Sequence, residues 1–296
     1  MSASFAPLVH RAVLKVEGED RRAFLQGMIS NDIAKAGPDR AIWAALLTAQ
    51  GKFLYDMFIV ESGDAFLIDV EAARLEELRK KLSLYKLRAK VSLAAAPDLA
   101  VAAAWGEGAC AALGLACEAG AAVAIAGGVA YGDPRLIGAG ARLILAAGTV
   151  PSGLTAAPVE EWDRMRMGLG LPDGSRDIIV EKGILLENGF DELNGVDFKK
   201  GCYMGQELTA RTKHRGLIKR RLMPVDIDGP APEAGTPILL DGIDAGEMRS
   251  AAGDRGLAVI RLEQFRTAAG RAGAFTCGEA RLTPHRPDWA VFPEAE

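Results

Sequence analysis

The run Lys199–Thr212, KKGCYMGQELTART, sets a cysteine between a glycine and a tyrosine, with polar residues after it and basic residues on both sides. Buried structural cysteines usually sit in apolar runs, and this run is not apolar. Nearby positive charge favours the thiolate, the nucleophilic and metal-binding form of the side chain. Gly201 and Gly205 permit backbone conformations and close approaches that a Cβ blocks. Gln206 adds a donor and an acceptor, and Glu207 adds a carboxylate. From Lys199 to Arg221 there are eight lysines and arginines against one acid, Glu207, while the rest of the chain is acidic. Such a cluster suits an anionic small ligand or an acidic partner surface. The plainer alternative is a solvated charged loop whose cysteine merely packs.

The other residues with chemistry are few. Cys110, Cys117 and Cys277 complete the cysteines, no pair has C-x-x-C spacing, and only three histidines are present. Neither a disulfide framework nor a zinc site built within one chain is expected. The net charge of −4 over 296 residues gives no general reason to expect nucleic-acid binding. The longest apolar runs are broken by Pro, Asp or Gly, so no membrane span is expected. The start, MSASFAPLVH, lacks a basic segment followed by an apolar one, so no signal peptide and a cytoplasmic location are expected.

The length calls for two or three packed units. Ala12–Val16 alternates like a strand, RRAFLQGMI reads as a short helix, and AIWAALLTA, FLYDMFIV and AFLIDV read as a meander broken by Gly-containing turns. Leu75, Leu78, Leu82 and Tyr85 then recur at helical spacing. This order favours a mixed α+β lobe over alternating βαβ units. LAVAAAW, VAIAG and RLILAA in the Ala/Gly-rich middle suggest buried strands. Val159, Trp162, Met165 and Leu169 fit one face of a helix bounded by Pro158 and Gly168/Gly170. After Gly216 short segments follow one another, broken by Gly and Pro, as in a small barrel or sandwich. The expected division is 1–92 and 93–216 as interleaved α+β lobes, with 217–296 as a β-barrel.

The stretch KGCYMGQELTAR (Lys200–Arg211) resembles the signature of the YgfZ-type folate-binding proteins, which are linked to maturation or repair of iron–sulfur enzymes and share a fold with the glycine cleavage T-protein. FLQGMISNDI (Phe24–Ile33), QGKFLYDMFIV (Gln50–Val60), EWDRMRMGLGLP (Glu161–Pro172) and AGEMRSAAGDRGLAVIR (Ala245–Arg261) are similar to further segments of that family. The middle, Leu93–Ala147, matches none. The resemblance implies a cloverleaf of two mixed α+β lobes and a C-terminal barrel around a central funnel that takes tetrahydrofolate or a one-carbon derivative. It implies Cys202 and Asp56 as the reactive groups. It places Lys200, Tyr203, Gln206, Glu187, Arg211, Arg166 and Asn31 around the folate, and iron–sulfur client enzymes or assembly proteins as partners.

The sequence also departs from the T-protein. Gly168 stands where that enzyme carries an acid toward the pterin, Tyr55 where it has the first of two Asp, and Cys202 where it has no cysteine. These changes favour an accessory factor over a folate-dependent aminomethyl or methyl transferase using Asp56. Asp56 reads either as that catalytic acid or as a surface strand residue. Glu187 reads as an acceptor for the pterin edge, and Arg211 as a fork for a carboxylate or an ion-pair partner of Glu207. Asn31 and Asp32 read as funnel-lining groups or as a helix cap.

Overall fold

The first sheet runs in the order 42–47, 53–62, 65–71, 11–17, 92–95, with every neighbour antiparallel. The computed structural model describes residues 3–216, 218–269, 271 and 274–292. Strand Phe53–Ser62 is buried through Val60 because both of its faces are covered. Leu54, Tyr55, Met57 and Ile59 pack with Leu25, Leu78 and Leu82 of helices Arg21–Met28 and Leu75–Lys86. Phe58 and Val60 face the second sheet, meeting Val101, Trp105, Tyr131 and Ile144. Side chains alternate along a strand, so Asp56 shares the inner face with Phe58 and Val60. Burying residues of this size contributes about 1.5–3 kcal/mol each, which ties the two sheets into one body.

The second sheet runs in the order 155–156, 4–7, 99–105, 141–146, 128–132, 122–125. The first strand, Ser4–Pro7, pairs antiparallel with Leu99–Trp105. Strand Ser92–Ala95 pairs instead with Arg11–Glu17 of the first sheet, Leu93 opposite Val16. Each lobe therefore takes one strand from the other half of the chain. Strand Ser92–Ala95 straddles residue 92, where the sequence reading divides the lobes.

Helix Val159–Gly168 starts after Pro158, and Gly170 follows it at φ +74°. Its buried residues are Trp162, Asp163, Arg166 and Met167 rather than the apolar stripe alone. The helix lies between body and barrel. Met167 packs on Leu222, Leu257 and Val259 of the barrel, while Asp163 and Arg166 turn to buried charges of the body.

The C-terminal unit is a closed six-stranded barrel, 220–228, 255–261, 243–252, 237–240, 275–277 and 280–284 in order, the last pairing with the first. Met223, Val225, Ile238, Met248, Ile260, Phe275 and Leu282 fill it. Strand Phe275–Cys277 and helix Leu262–Thr267 were not expected from the sequence. Residues 217, 270, 272–273 and 293–296 of the expected barrel segment lie outside the described residues. No helix among the described residues is long and apolar enough to cross a membrane.

Candidate functional site at the signature loop and the body–barrel junction

The signature loop and the segment after helix Arg21–Met28 form one joint. Gln26 Nε2 donates to Lys200 O at 3.2 Å, and Met204 N–H donates to Gly27 O at 3.1 Å. The Lys200 ammonium donates to Ile29 O at 2.6 Å and Asn31 O at 2.7 Å. Ser30 Oγ donates to Gly195 O at 2.6 Å, and Asp197 N–H donates to Ser30 O at 3.0 Å. Gly205 sits at φ +80°, and a Cβ there would lie 2.3 Å from Thr48 O and 3.1 Å from Gly51 Cα. Two glycine backbones thus pack the loop directly onto the 48–52 hairpin turn. Tyr203 is buried, its N–H donates to Gln206 Oε1 at 3.1 Å, and helix Gln206–Arg215 begins at once.

Cys202 lies exposed between these anchors, beside the exposed Gly201. The chain is held at Lys200 before it and at Tyr203 and Met204 after it. Burial pushes the Lys200 ammonium down to about 8, against the pull of Asp32 and Asp197. The basic cluster divides in two. Arg221 is buried on Glu192, Arg220 pairs with Glu187, and Lys213 pairs with Asp191. Lys199, Arg211, Arg215 and Lys219 are exposed. No hydrogen bond or ion pair joins Arg211 to Glu207 or to any other described residue, and its side chain is exposed.

Where the lobes meet, buried charges of opposite sign face one another. Arg11 Nε donates to Asp69 Oδ1 at 2.6 Å, and its Nη1 donates to Asp56 at 3.1 Å and Asp173 at 3.3 Å. Arg142 donates to the other Asp69 oxygen at 2.9 Å and lies over the Phe58 ring. Asp56 is 2% exposed, and its second oxygen accepts from Trp43 Nε1 at 3.4 Å. It is an interior residue, not one on a surface strand. Trp43 in turn stacks on Phe190 with centroids 3.8 Å apart. Arg166 is fully buried, bonded to Asp163 at 2.6 Å, Asp177 at 2.7 Å and Leu171 O at 3.1 Å. Burial raises the Asp173 carboxyl, but His10, Arg11 and Arg166 outweigh it and hold it well below the usual range. Unpaired, such charges cost several kcal/mol each, so each needs its partner. Arg11, Asp69 and Arg142, charges set at buried positions of strands rich in apolar residues, were the sequence signal for this network, and it was missed.

Two polar cavities border these groups. One, of about 230 Å³, opens between body and barrel and is lined by Asp177, Lys182, Glu187, Asn188, Arg220 and Arg249, with Ile178, Ile179 and Val259 as apolar wall. Among the described residues, the Oδ1 of Asn188, a residue 4% exposed, and the buried Arg249 Nε have no hydrogen-bond partner, while Arg249 Nη1 is paired with Glu247, which also lines the cavity. The other, of about 250 Å³, is lined by Asn31, Lys35, Arg40, Trp43, Asp191 and Asn194. Asn31 there is bonded to Trp43 O and Asn194 O, both at 2.7 Å. Asp32 is the cap of the short helix Ile33–Lys35, accepting from Ala34 N–H. The structure therefore places Glu187 and Asn31 on different cavities. Arg166 stands behind the first one, through Asp177.

A pterin offers ring N–H and amino donors and a carbonyl acceptor, and a folate tail offers carboxylates. The body–barrel cavity holds complementary groups in the Asn188 oxygen, the Arg249 Nε and Lys182, and in Glu187, whose carboxylate is shared with Arg220. These residues fit a folate head. Lys182, Asn188 and Arg249 were not singled out in the sequence reading. Among the described residues no group of three or more His, Cys, Asp and Glu side chains could hold a metal ion.

Taken whole, the arrangement of lobes and barrel is that of the glycine cleavage aminomethyltransferases. The fold matches aminomethyltransferase T of the Bartonella henselae glycine cleavage system with a TM-score of 0.76 over 98% of this chain and 86% of that one, at 15% identity. Residues 219–292 match the family of CAF17 C-terminal beta-barrel domains. The chain is 33% identical to the mitochondrial iron–sulfur cluster assembly factor IBA57 of Mus musculus over 86% of this chain and 77% of that protein. It is also 33% identical to that of Homo sapiens, over 94% and 83%. The chain belongs to the IBA57 family of iron–sulfur cluster assembly factors.

Proposed function

We propose that the protein is a tetrahydrofolate-binding accessory factor for assembly or repair of iron–sulfur enzymes, of the YgfZ type, with Cys202 as its reactive thiol. The observation that carries this reading is an exposed cysteine on a loop fixed at both ends by hydrogen bonds and by glycine-to-glycine packing. A thiolate is a soft ligand suited to iron and sulfur. Clusters take about four such ligands, so one cysteine shares its cluster with ligands from a client enzyme, an assembly protein or a second copy. Lys200 and Tyr203 hold the loop in place, Gln206 caps its turn into the helix, and the free Arg211 faces the incoming partner. The names of the relatives support the iron–sulfur role.

Folate is assigned to the body–barrel cavity. Glu187 and Asn188 accept from the pterin edge, Arg249 and Lys182 donate, and Arg166 positions the wall through Asp177. When bound, tetrahydrofolate supplies a carrier for one-carbon units. Asn31 and Asp56 act from the interior by fixing the lobes. A cytoplasmic location belongs to the same proposal, and cell fractionation tests it.

The test of the iron–sulfur role is the activity of a cluster-dependent enzyme in cells whose own copy is replaced by Cys202→Ser. Loss of that activity at normal protein level is expected; full activity contradicts the reading. Calorimetry with tetrahydrofolate tests the ligand separately. Wild type and Cys202→Ser bind alike and Glu187→Ala binds more weakly if the cavity is the site. Absence of binding at tens of micromolar removes folate and leaves the thiol reading standing.

A further inference from the structure

Helix Leu75–Lys86 turns Leu75, Leu78 and Leu82 into the core of the first lobe. Tyr85 fits the same spacing in the sequence, yet it is 47% exposed. Leu84 lies across the helix from Leu75 and Leu82 and is 76% exposed. Leu87, just past the helix end, is 89% exposed. It stands at φ +45°, a left-handed conformation that a residue of its size rarely adopts. The turn around it is fixed: Ala89 N–H donates to Lys86 O at 2.8 Å, and Lys90 N–H donates to Asp20 Oδ2 at 2.8 Å. Three large apolar side chains are therefore presented to water on an ordered helix end. Charge surrounds them. From Leu78 to Pro97 the chain carries six cations, Arg79, Lys80, Lys81, Lys86, Arg88 and Lys90, and no Asp or Glu. Arg79 pairs with Glu76 and Lys90 with Glu19. Lys81, Lys86 and Arg88 enter no hydrogen bond or ion pair with a described residue.

We propose that this helix end is a contact for the surface of an anionic phospholipid bilayer. Leu84, Tyr85 and Leu87 enter the headgroup region, and Lys80, Lys81, Lys86 and Arg88 meet the lipid phosphates. Leucine supplies apolar area, and a tyrosine ring with its hydroxyl suits the boundary between headgroups and acyl chains. Lysine and arginine carry their charge on long apolar stems, so they reach phosphates while the stems lie beside the leucines. A contact of this kind needs no spanning helix. The other occupants fit less well. Protein interfaces are depleted in lysine, and this patch is lysine-rich. A second copy of the chain would set the same cations against one another. A nucleic acid backbone attracts the cations but has no use for exposed leucines. This inference stands independently of the proposed function.

The experiment is co-sedimentation of the full-length protein with vesicles of phosphatidylcholine, alone or with one third phosphatidylglycerol, at roughly 0.1 M salt, where charges act over about 10 Å. The expected result is protein in the pellet with the phosphatidylglycerol vesicles and in the supernatant with phosphatidylcholine alone. The triple variant Lys81→Gln, Lys86→Gln, Arg88→Gln binds roughly a hundredfold more weakly, about fivefold per cation. The double variant Leu84→Gln, Leu87→Gly binds about tenfold more weakly. Its glycine suits the left-handed position, and circular dichroism confirms that both variants are folded. Equal pelleting with the two kinds of vesicle overturns the proposal. Absence from both pellets overturns it as well and leaves the patch to an acidic protein surface. So does full binding by the leucine variant beside loss in the charge variant, because simple attraction to a polyanion is then the whole effect. Tighter binding to a DNA duplex than to the anionic vesicles assigns the cations to a nucleic acid and likewise overturns it.

Discussion

The lobe junction and the signature loop are built from the same residue types and treat them in opposite ways. At the junction Arg11, Arg142 and Arg166 are buried and each is matched by aspartates. At the loop a cysteine and four cations, Lys199, Arg211, Arg215 and Lys219, are left at the surface. Charge in the first region is structural because removal from water makes every partner obligatory. Charge in the second has no such obligation and remains free for a partner. The contrast decides how two sequence candidates rank. Asp56, a carboxylate in the resembling family's reactive position, is held by Arg11 and Trp43 inside the body, whereas Cys202 is offered to solvent on a rigid mount.

The sharpest way to break this comparison is at Arg11. Arg11→Ala leaves Asp56, Asp69 and Asp173 short of a buried partner, and about 3–5 kcal/mol of stability is lost. Urea denaturation reads the change; a loss near zero means that the centre is not the clamp described here. Gly205→Ala comes next. It places a Cβ against Thr48 O at a positive φ, at a strain of about 1–3 kcal/mol. A lower Tm together with a changed alkylation rate at Cys202 shows that the loop mount has moved, and an unchanged rate shows that the mount does not set the thiol.

A smaller effect tests Lys200. Its folded-state value of about 8 lies below the ordinary lysine value of about 10.4. Between those two values the unfolded chain binds more protons than the folded one, so stability contributed by this group rises with pH across that window. Below about pH 8 both states are protonated and the burial cost is felt in full. Lys200→Met therefore flattens the alkaline rise relative to wild type in a pH series of denaturation midpoints. Equal slopes mean that the ammonium is solvated. Cys202→Ser, an exposed substitution with no contact to lose, changes stability by no more than about 0.5 kcal/mol.

Much of this architecture was legible in the sequence. The meander turns at Gly51 and Gly63, the helix at Leu75, and the change of texture after Gly216 all follow from local turn chemistry and period. The signature loop stood out because a cysteine among cations is chemically odd. The rest depends on partners distant in sequence. Ser4–Pro7 joins the second sheet because its neighbour is Leu99–Trp105, and no local pattern announces that. Arg166 sits on a helix face that reads as polar until Asp177 and the barrel close over it. Asn188 and Arg249 come to line one cavity only where body and barrel meet.

The proposed function makes Cys202, not Asp56, the reactive group. Its most direct test sets Asp56→Asn beside Cys202→Ser in cells lacking the native protein, with cluster-dependent enzyme activity measured per amount of folded protein. The prediction is that Cys202→Ser abolishes the activity, whereas Asp56→Asn lowers protein level through the weakened Arg11 contact but leaves activity per folded molecule intact. The reverse pattern, activity retained in Cys202→Ser and lost per folded molecule in Asp56→Asn, contradicts the account and makes the protein a folate-dependent one-carbon transferase.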